Sequence, residues 1–297
     1  MRALITGARG FVGRHLHEHL ERSGDEVVGV DSECDVTDAQ QVDEVISQFG
    51  PDVVYHLAGK THVGESFSEP ALFTKVNVVG TRNVLDAVWK SSPEALTVLV
   101  SSSDVYGIIE KADLPVHELH RVNPQSPYAA SKLEAEHVAH ELIRERSQKV
   151  VIVRPFNHIG PGQAPSFVVP ALASRLIEAA QNERSTIVVG DLSTRRDFLD
   201  VRDVVRAYRL LALLGTPGET YNVASGHDVA IADIANELRN MVAPNVEFVR
   251  DESLFRPSDI PEIRGDFSKL RNTTGWEPKV GLAQTLKDVV DSLNNER

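Results

Sequence analysis

The sequence has one cysteine, Cys34, and only two methionines and two tryptophans among 297 residues. A single thiol excludes an intramolecular disulfide and fits a reducing compartment. No apolar run approaches the ~18 residues that a membrane-spanning helix needs. Residues 1–6 already read as a strand, which leaves no room for a secretory leader, so a soluble protein of the cytoplasm is expected. Positive charge is also scarce: 31 Lys and Arg stand against 43 Asp and Glu, a net charge of −12. That balance argues against nucleic acid and membrane surfaces as partners, although a local Arg can still meet an anionic small ligand. The 11 histidines form no spaced metal signature. His15, His17 and His19 are spread around one helix and read as solvated.

What is present is a regular alternation. Ala3-Leu4-Ile5, Val27–Val30, Val53-Val54-Tyr55, Thr97–Val100 and Val150–Val153 read as buried strands rich in β-branched residues. Between them, residues 11–22, 38–49, 78–89 and 128–146 have helical spacing. Such repetition predicts an α/β fold with a doubly wound parallel sheet. After a Pro- and Gly-rich loop at 154–166 the texture changes. Helices are expected at 168–182, 201–214, 231–241 and 282–293, with strands at 186–189 and 221–223. The division expected is a dinucleotide-binding domain at 1–155, with return elements near 201–224, and a smaller mixed lobe at 156–297.

Thr6-Gly7-Ala8-Arg9-Gly10-Phe11-Val12-Gly13 joins the first strand to the first helix. Glycines there let backbone N–H groups approach a pyrophosphate at a helix N-terminus, which points to a dinucleotide. Its GxxGxxG spacing is one residue longer in the first gap than the usual fingerprint. Asp31, directly after the second strand, can accept hydrogen bonds from a ribose and would repel a 2′-phosphate, which favours NADH. Arg9 could instead meet a 2′-phosphate, so the cofactor expected is NADH or NADPH. Asp35, beside Val36, is placed to cap the next helix or to meet adenine, capping being the plainer role. Leu57, Ala58 and Gly59 follow the third strand, where small residues permit close approach of a cofactor.

Ser126-Pro127-Tyr128-Ala129-Ala130-Ser131-Lys132 opens a helix, with Ser126 suited to the N-cap and Pro127 to the first helical position. Tyr128 and Lys132 then share a face. An ammonium beside a phenol favours the phenolate, so the Tyr128 pKa is expected to fall toward neutrality. Ser101, Ser102 and Ser103 leave the fourth strand and carry hydroxyls to the same sheet edge.

The glycine loop, the serine run and the Tyr-x-x-x-Lys pair together resemble the extended short-chain dehydrogenases/reductases that act on nucleotide sugars, over nearly the whole chain. The resemblance implies that Ser102, four residues before Tyr106, and Tyr128 polarise and protonate a sugar oxygen. It implies that Lys132 also binds the nicotinamide ribose and that Asn77 braces the sheet edge near the cofactor. The run Arg154-Pro155-Phe156-Asn157-His158-Ile159-Gly160-Pro161-Gly162-Gln163 resembles GDP-mannose dehydratases and, more closely, GDP-4-keto-6-deoxy-mannose reductases. There Pro155 and Phe156 would flank the nicotinamide and Asn157 the substrate diphosphate, with Phe167 and Val168 continuing the match. Arg196 would pair with the diphosphate, and Arg256, Ser258 and Asp259 resemble an element that binds guanosine diphosphate. Gly275-Trp276-Glu277-Pro278 matches a structural turn of the family.

Dehydratases of this group place a Glu two positions after the catalytic hydroxyl; here that position is Asp104, one methylene shorter. This departure, and a shorter chain, favour a reductase over the dehydratase. The expected substrate is a GDP-linked 4-keto-6-deoxy sugar, reduced to GDP-D-rhamnose for surface polysaccharide such as lipopolysaccharide. A dehydratase or epimerase of the same family is the alternative, and a non-catalytic dinucleotide sensor a remote one. Expected catalytic residues are Ser102, Asp104, Tyr128 and Lys132, with Ser103 beside the substrate. His62 and Glu65 could reach the hexose or serve only as loop polarity. Family members commonly pair through the helix that begins at Tyr128, so a homodimer is expected.

Overall fold

The computed structural model describes residues 1–254 and 260–295. The first half alternates β1 (Arg2–Thr6), α1 (Phe11–Arg22), β2 (Glu26–Val30), α2 (Ala39–Phe49), β3 (Val53–His56), the short α3 (Val63–Ser68) and α4 (Pro70–Thr74), α5 (Gly80–Ser91), β4 (Leu96–Val100), α6 (Pro127–Arg146) and β5 (Val150–Pro155). The second half runs β6 (Asn157–Ile159), α7 (Val168–Gln181), β7 (Thr186–Val189), β8 (Arg195–Asp200), α8 (Val201–Leu214), β9 (Thr220–Val223), β10 (Asp228–Ala230), α9 (Ile231–Val242), β11 (Glu247–Arg250), β12 (Glu262–Ile263), α10 (Ser268–Thr274) and α11 (Leu282–Asn295).

Six strands form one parallel sheet in the order β2-β1-β3-β4-β5-β9. Its strands are apolar along their length because helices cover both faces; every residue of β5 is buried. On one face Leu16 and Leu20 of α1 pack with Val204, Val205 and Leu211 of α8. On the other, Val42 and Ile46 of α2 meet Val84 and Val88 of α5. From β1 the chain passes out to β2 on one side and returns to β3 on the other. That reversal opens a crevice at the carboxyl ends of β1 and β3, where ligands bind in such sheets.

The second half adds a smaller sheet around β8, which pairs with β6, β10 and β12, and a two-stranded sheet of β7 and β11. These rest on a separate core from α7, α9 and α11, including Leu172, Leu176, Leu238 and Leu286. β9 nevertheless lies in the large sheet, beside β5.

Some elements differ from the sequence reading. Asp38, not Asp35, caps α2 by accepting from the Gln40 and Gln41 amides, while Asp35 accepts from Thr37 in a local turn. The helix expected at 78–89 begins earlier, in a π turn at Lys75–Val79 that runs into α5. β8 has no hydrophobic alternation to announce it, since its buried Asp197 and Asp200 are satisfied by hydrogen bonds rather than by apolar contact. His15 is half-buried rather than solvated, its Nε2 2.9 Å from the Pro161 carbonyl. Among the described residues no helix is long and apolar enough to cross a membrane.

Candidate active site

The crevice is a cleft of about 1070 Å³ running from the glycine loop to the α6 N-terminus and out between β6 and α7. At its first end, Gly7 has φ +74°, and a Cβ there would stand 2.8 Å from the Ala58 nitrogen. A Cβ on Gly13 would lie 2.2 Å from the Gly7 carbonyl oxygen. Backbone therefore lies against backbone where α1 begins. The first turn of α1 contains no acidic residue, and Gly10 gives it no side-chain cap. Its amides and the positive end of its dipole are left for an anion. That arrangement fits a dinucleotide pyrophosphate.

Beyond β2, the Asp31 carboxylate accepts from the Arg9 amide at 2.9 Å and the Ser32 amide at 2.9 Å. The exposed Arg9 guanidinium turns to the Ser32 hydroxyl at 2.9 Å and forms an ion pair with Glu33. Asp31 and Arg9 thus share one rim of the cleft, the carboxylate held by backbone donors and the guanidinium held by an acid. Asp35, Val36, Leu57, Ala58 and Gly59 line the same end, with Phe11 and Val12. Cys34 also lines it; burial pushes its thiol up, which keeps it protonated and unreactive.

Three turns of α6 carry the next wall. Ser126 caps the helix by accepting from the Ala129 amide at 3.1 Å, and Pro127 occupies the first position. Tyr128 and Lys132 are both buried and both face the cleft. Ser102 lines the cleft beside Tyr128. Lys132 Nζ donates to the Val100 carbonyl at 2.8 Å. Ser102 also caps the turn that follows it, accepting from the Asp104 amide at 3.1 Å. Asp104 and Ser103 complete this wall.

The protonation expected of Tyr128 is reversed. Burial raises its pKa above the ordinary phenol value, the Asp104 charge adds to the rise, and the neighbouring Ser102 hydroxyl only partly offsets them. The Lys132 ammonium is directed at a backbone carbonyl, and burial lowers its own pKa to about 8 against the opposing pull of Glu136. Burial thus favours the protonated phenol of Tyr128 over the phenolate.

At the far end the cleft is lined by Pro155, Phe156, Asn157, Phe167 and Val168. His62, which the sequence offered as a hexose contact or as loop polarity, lines the wall, and so do His158 and Tyr208, which sequence reasoning did not assign. His158 stacks on Phe11 with ring centroids 6.2 Å apart, and Tyr208 reaches the cleft from α8. His62 caps α3, its Nδ1 accepting from the Glu65 amide at 3.2 Å, and its ring meets Phe167 edge-on at 6.4 Å. A lone His in a loop or apolar helix gives no signal of this kind until its neighbours are placed.

Two expected residues stand outside the cleft. Asn77 is buried behind it, accepting from the Lys60 amide and donating to the Lys60 carbonyl and to the Ser131 hydroxyl. It therefore braces the loop after β3 rather than lining the site. Arg196 is half-buried on β8, is not among the residues lining the cleft, and donates to the Arg195 carbonyl at 2.9 Å. Arg256, Ser258 and Asp259 lie outside the described residues. Trp276 of the expected structural turn is fully buried and donates to the Asp203 carbonyl.

A glycine-lined crevice, Ser102, a buried Tyr128 and a Lys four residues on share one cleft. Residues 3–224 match the model of the NAD dependent epimerase/dehydratase family. The chain belongs to that family. It is 36% identical to a GDP-6-deoxy-D-mannose reductase of Pseudomonas aeruginosa, over 97% of this chain and 96% of that one. It is 34% identical to a GDP-6-deoxy-D-talose 4-dehydrogenase of Aggregatibacter actinomycetemcomitans, over 93% and 92%. The solved structure of RMD from Pseudomonas aeruginosa complexed with NADPH superposes with a TM-score of 0.92 at 34% identity, covering all of both chains.

Proposed function

We propose that this family member reduces the 4-keto group of GDP-4-keto-6-deoxy-D-mannose to give GDP-D-rhamnose, with NADH or NADPH as reductant. The observation that carries the reading is the placing of buried Tyr128 and Lys132 beside Ser102 in the wall of a cleft that begins at the glycine loop. The nearly full-length likeness to a GDP-sugar reductase supports the substrate class.

The residues suit carbonyl reduction. Reduced nicotinamide, when bound, supplies the hydride. The chain must deliver a proton to the carbonyl oxygen, and a phenol whose pKa is raised keeps its proton until negative charge develops on that oxygen. Ser102, beside Tyr128 in the same wall, holds the oxygen against the phenol. Lys132, anchored on the Val100 carbonyl, keeps positive charge beside the wall and has further N–H groups for the nicotinamide ribose. Gly7, Gly10, Gly13, Phe11 and Val12 seat the pyrophosphate, Asp31 and Arg9 the adenosine ribose, and Pro155 and Phe156 the nicotinamide. Asn157, Phe167 and Val168 form the sugar-nucleotide side. Residues 1–155 then hold the cofactor and 156–297 the nucleotide sugar, with 201–224 returning to the first unit. Asp104, shorter than the dehydratase Glu, falls short of the proton that a dehydration must remove, and so separates reduction from dehydration. We assign the enzyme to surface-polysaccharide synthesis, as a homodimer in the cytoplasm.

Incubation with GDP-4-keto-6-deoxy-mannose and NADH or NADPH tests the reading. Cofactor oxidation with formation of GDP-rhamnose, identified by NMR, is expected. GDP-6-deoxy-talose as product would overturn the assigned stereochemistry, and turnover of GDP-mannose without reductant would overturn the reaction type.

A further inference from the structure

Behind the catalytic wall lies a charged group that the reaction above does not use. Glu136, on α6 one turn after Lys132, is almost wholly buried. Its Oε1 accepts from the Ser101 hydroxyl at 2.5 Å and from Arg154 Nε at 2.9 Å, and its Oε2 accepts from Arg154 Nη2 at 2.6 Å. Arg154, at the end of β5, also donates to the Glu118 carbonyl at 3.2 Å, and its guanidinium lies 4.8 Å from the centre of the Tyr106 ring. All three nitrogens of Arg154 and both carboxylate oxygens of Glu136 thereby have hydrogen-bond partners, as a buried pair requires.

The contacts form a ladder. Two consecutive residues at the end of β4 meet two successive turns of α6, and the next lines the cleft with Tyr128. The Val100 carbonyl accepts from Lys132, the Ser101 hydroxyl donates to Glu136, and Ser102 stands in the cleft wall beside Tyr128. Residues 128, 132 and 136 recur at the four-residue spacing of one helix face. A buried amphipathic core could hold α6 anywhere along a smooth apolar surface. A bidentate carboxylate–guanidinium pair has one geometry.

We propose that Glu136 is a positioning residue for the reaction: by binding Ser101 and Arg154 it sets the register of the β4 exit on α6, and with it the placing of Ser102 beside Tyr128 and the Lys132–Val100 contact. This rests on the reductase reading for its kinetic consequence, although not for its geometry. The groups around Lys132 are Tyr128 and Glu136 on its own helix, His56 on β3, Asp104 after β4 and Arg154 on β5. Glu136 is the one among them that favours the ammonium against burial.

The test uses the full chain. Trace acetylation of the ligand-free protein across pH, read at the Lys132 peptide by mass spectrometry, gives the titration midpoint of that amine. It is expected at about 8 in the wild type. In Glu136→Gln the midpoint should move down by roughly one pH unit, since a neighbouring negative charge is lost. The kcat should fall on the order of tenfold or more, with KM for the sugar nucleotide little changed. Ser101→Ala leaves the ion pair whole; its midpoint should stay in place while kcat falls several-fold at an unchanged melting temperature. Where Glu136→Gln does not fold, Ser101→Ala decides alone. An unmoved midpoint in folded Glu136→Gln, or an unchanged kcat in Ser101→Ala, overturns the proposal. A wild type that leaves the keto sugar unreduced removes the substrate reading, and the labelling midpoint still tests Glu136.

Discussion

Gly7 and Ala58 stand so close that a single methyl group on Gly7 would sit 2.8 Å from the Ala58 nitrogen. The contact joins the turn after β1 to the residue that follows β3 by two, across the crevice where the sheet reverses. Gly7 also has positive φ, which costs an L-residue roughly 1–2 kcal/mol. Gly7→Ala should therefore part the two loops and weaken NADH binding by about tenfold or more. Titration of cofactor fluorescence measures it; unchanged affinity in the folded variant would place the dinucleotide elsewhere.

Tyr128→Phe removes the proton donor and leaves the ring in place. Turnover with GDP-4-keto-6-deoxy-mannose should drop by about 10²- to 10⁴-fold, the usual worth of a positioned acid. Dinucleotide affinity should stay within about twofold, since little binding energy is lost with one hydroxyl at the catalytic wall. A variant that keeps wild-type turnover would remove Tyr128 from the chemistry.

Reductant choice turns on the Arg9–Glu33 pair. Glu33 is exposed and holds the Arg9 guanidinium beside Asp31. Glu33→Gln should strengthen NADPH binding several-fold with NADH nearly unchanged, because the freed guanidinium can meet a 2′-phosphate. Arg9→Ala should weaken NADPH alone. Equal changes for both cofactors would show that neither side chain reaches the 2′ position.

Acid stability is set in part by His56. Its Nδ1 lies 2.8 Å from the Thr6 hydroxyl and its Nε2 3.1 Å from that of Thr81, and burial followed by the Lys132 charge lowers its pKa to about 3. The folded protein thus keeps His56 neutral where the unfolded chain takes up a proton. Below the unfolded value of about 6.5, stability should fall as pH falls, by up to about 1.4 kcal/mol per unit, until the folded group titrates near 3. Melting curves between pH 7 and 4 should show a shallower slope in His56→Gln than in the wild type. Parallel slopes would assign the acid sensitivity to other groups.

The legible parts of the chain were those where local chemistry and global position agree. Ser126, Pro127 and Tyr128 announce a capped helix and its catalytic face in three letters, and the structure has that cap. The apolar runs of β1, β3, β4 and β5 specify a sheet covered on both sides. What was not legible depends on partners far along the chain. Asp35 and Asp38 are equally good caps by composition, and the choice between them follows from where α2 docks. Asp197 has no apolar neighbour before Phe198 to mark it as interior, yet it is fully buried and collects the amides of Ser225, Gly226 and Gly265. The pKa direction of Tyr128 was unreadable because spacing places Lys132 on the same face without revealing that its ammonium is spent on Val100.

The first helix serves two masters. Its opening turn faces the glycine crevice, while two side chains just beyond it, Arg14 and His15, reach the carbonyls of Gly162 and Pro161 on the loop after β6. Phe11 stacks on His158 of β6 itself. Any shift of α1 toward a bound pyrophosphate is therefore handed to the segment flanking the sugar nucleotide. Such coupling is reciprocal by thermodynamic necessity. Whatever factor the dinucleotide contributes to affinity for the sugar, the sugar returns to the dinucleotide, and an order of addition seen in kinetics would reflect rates rather than a one-way dependence.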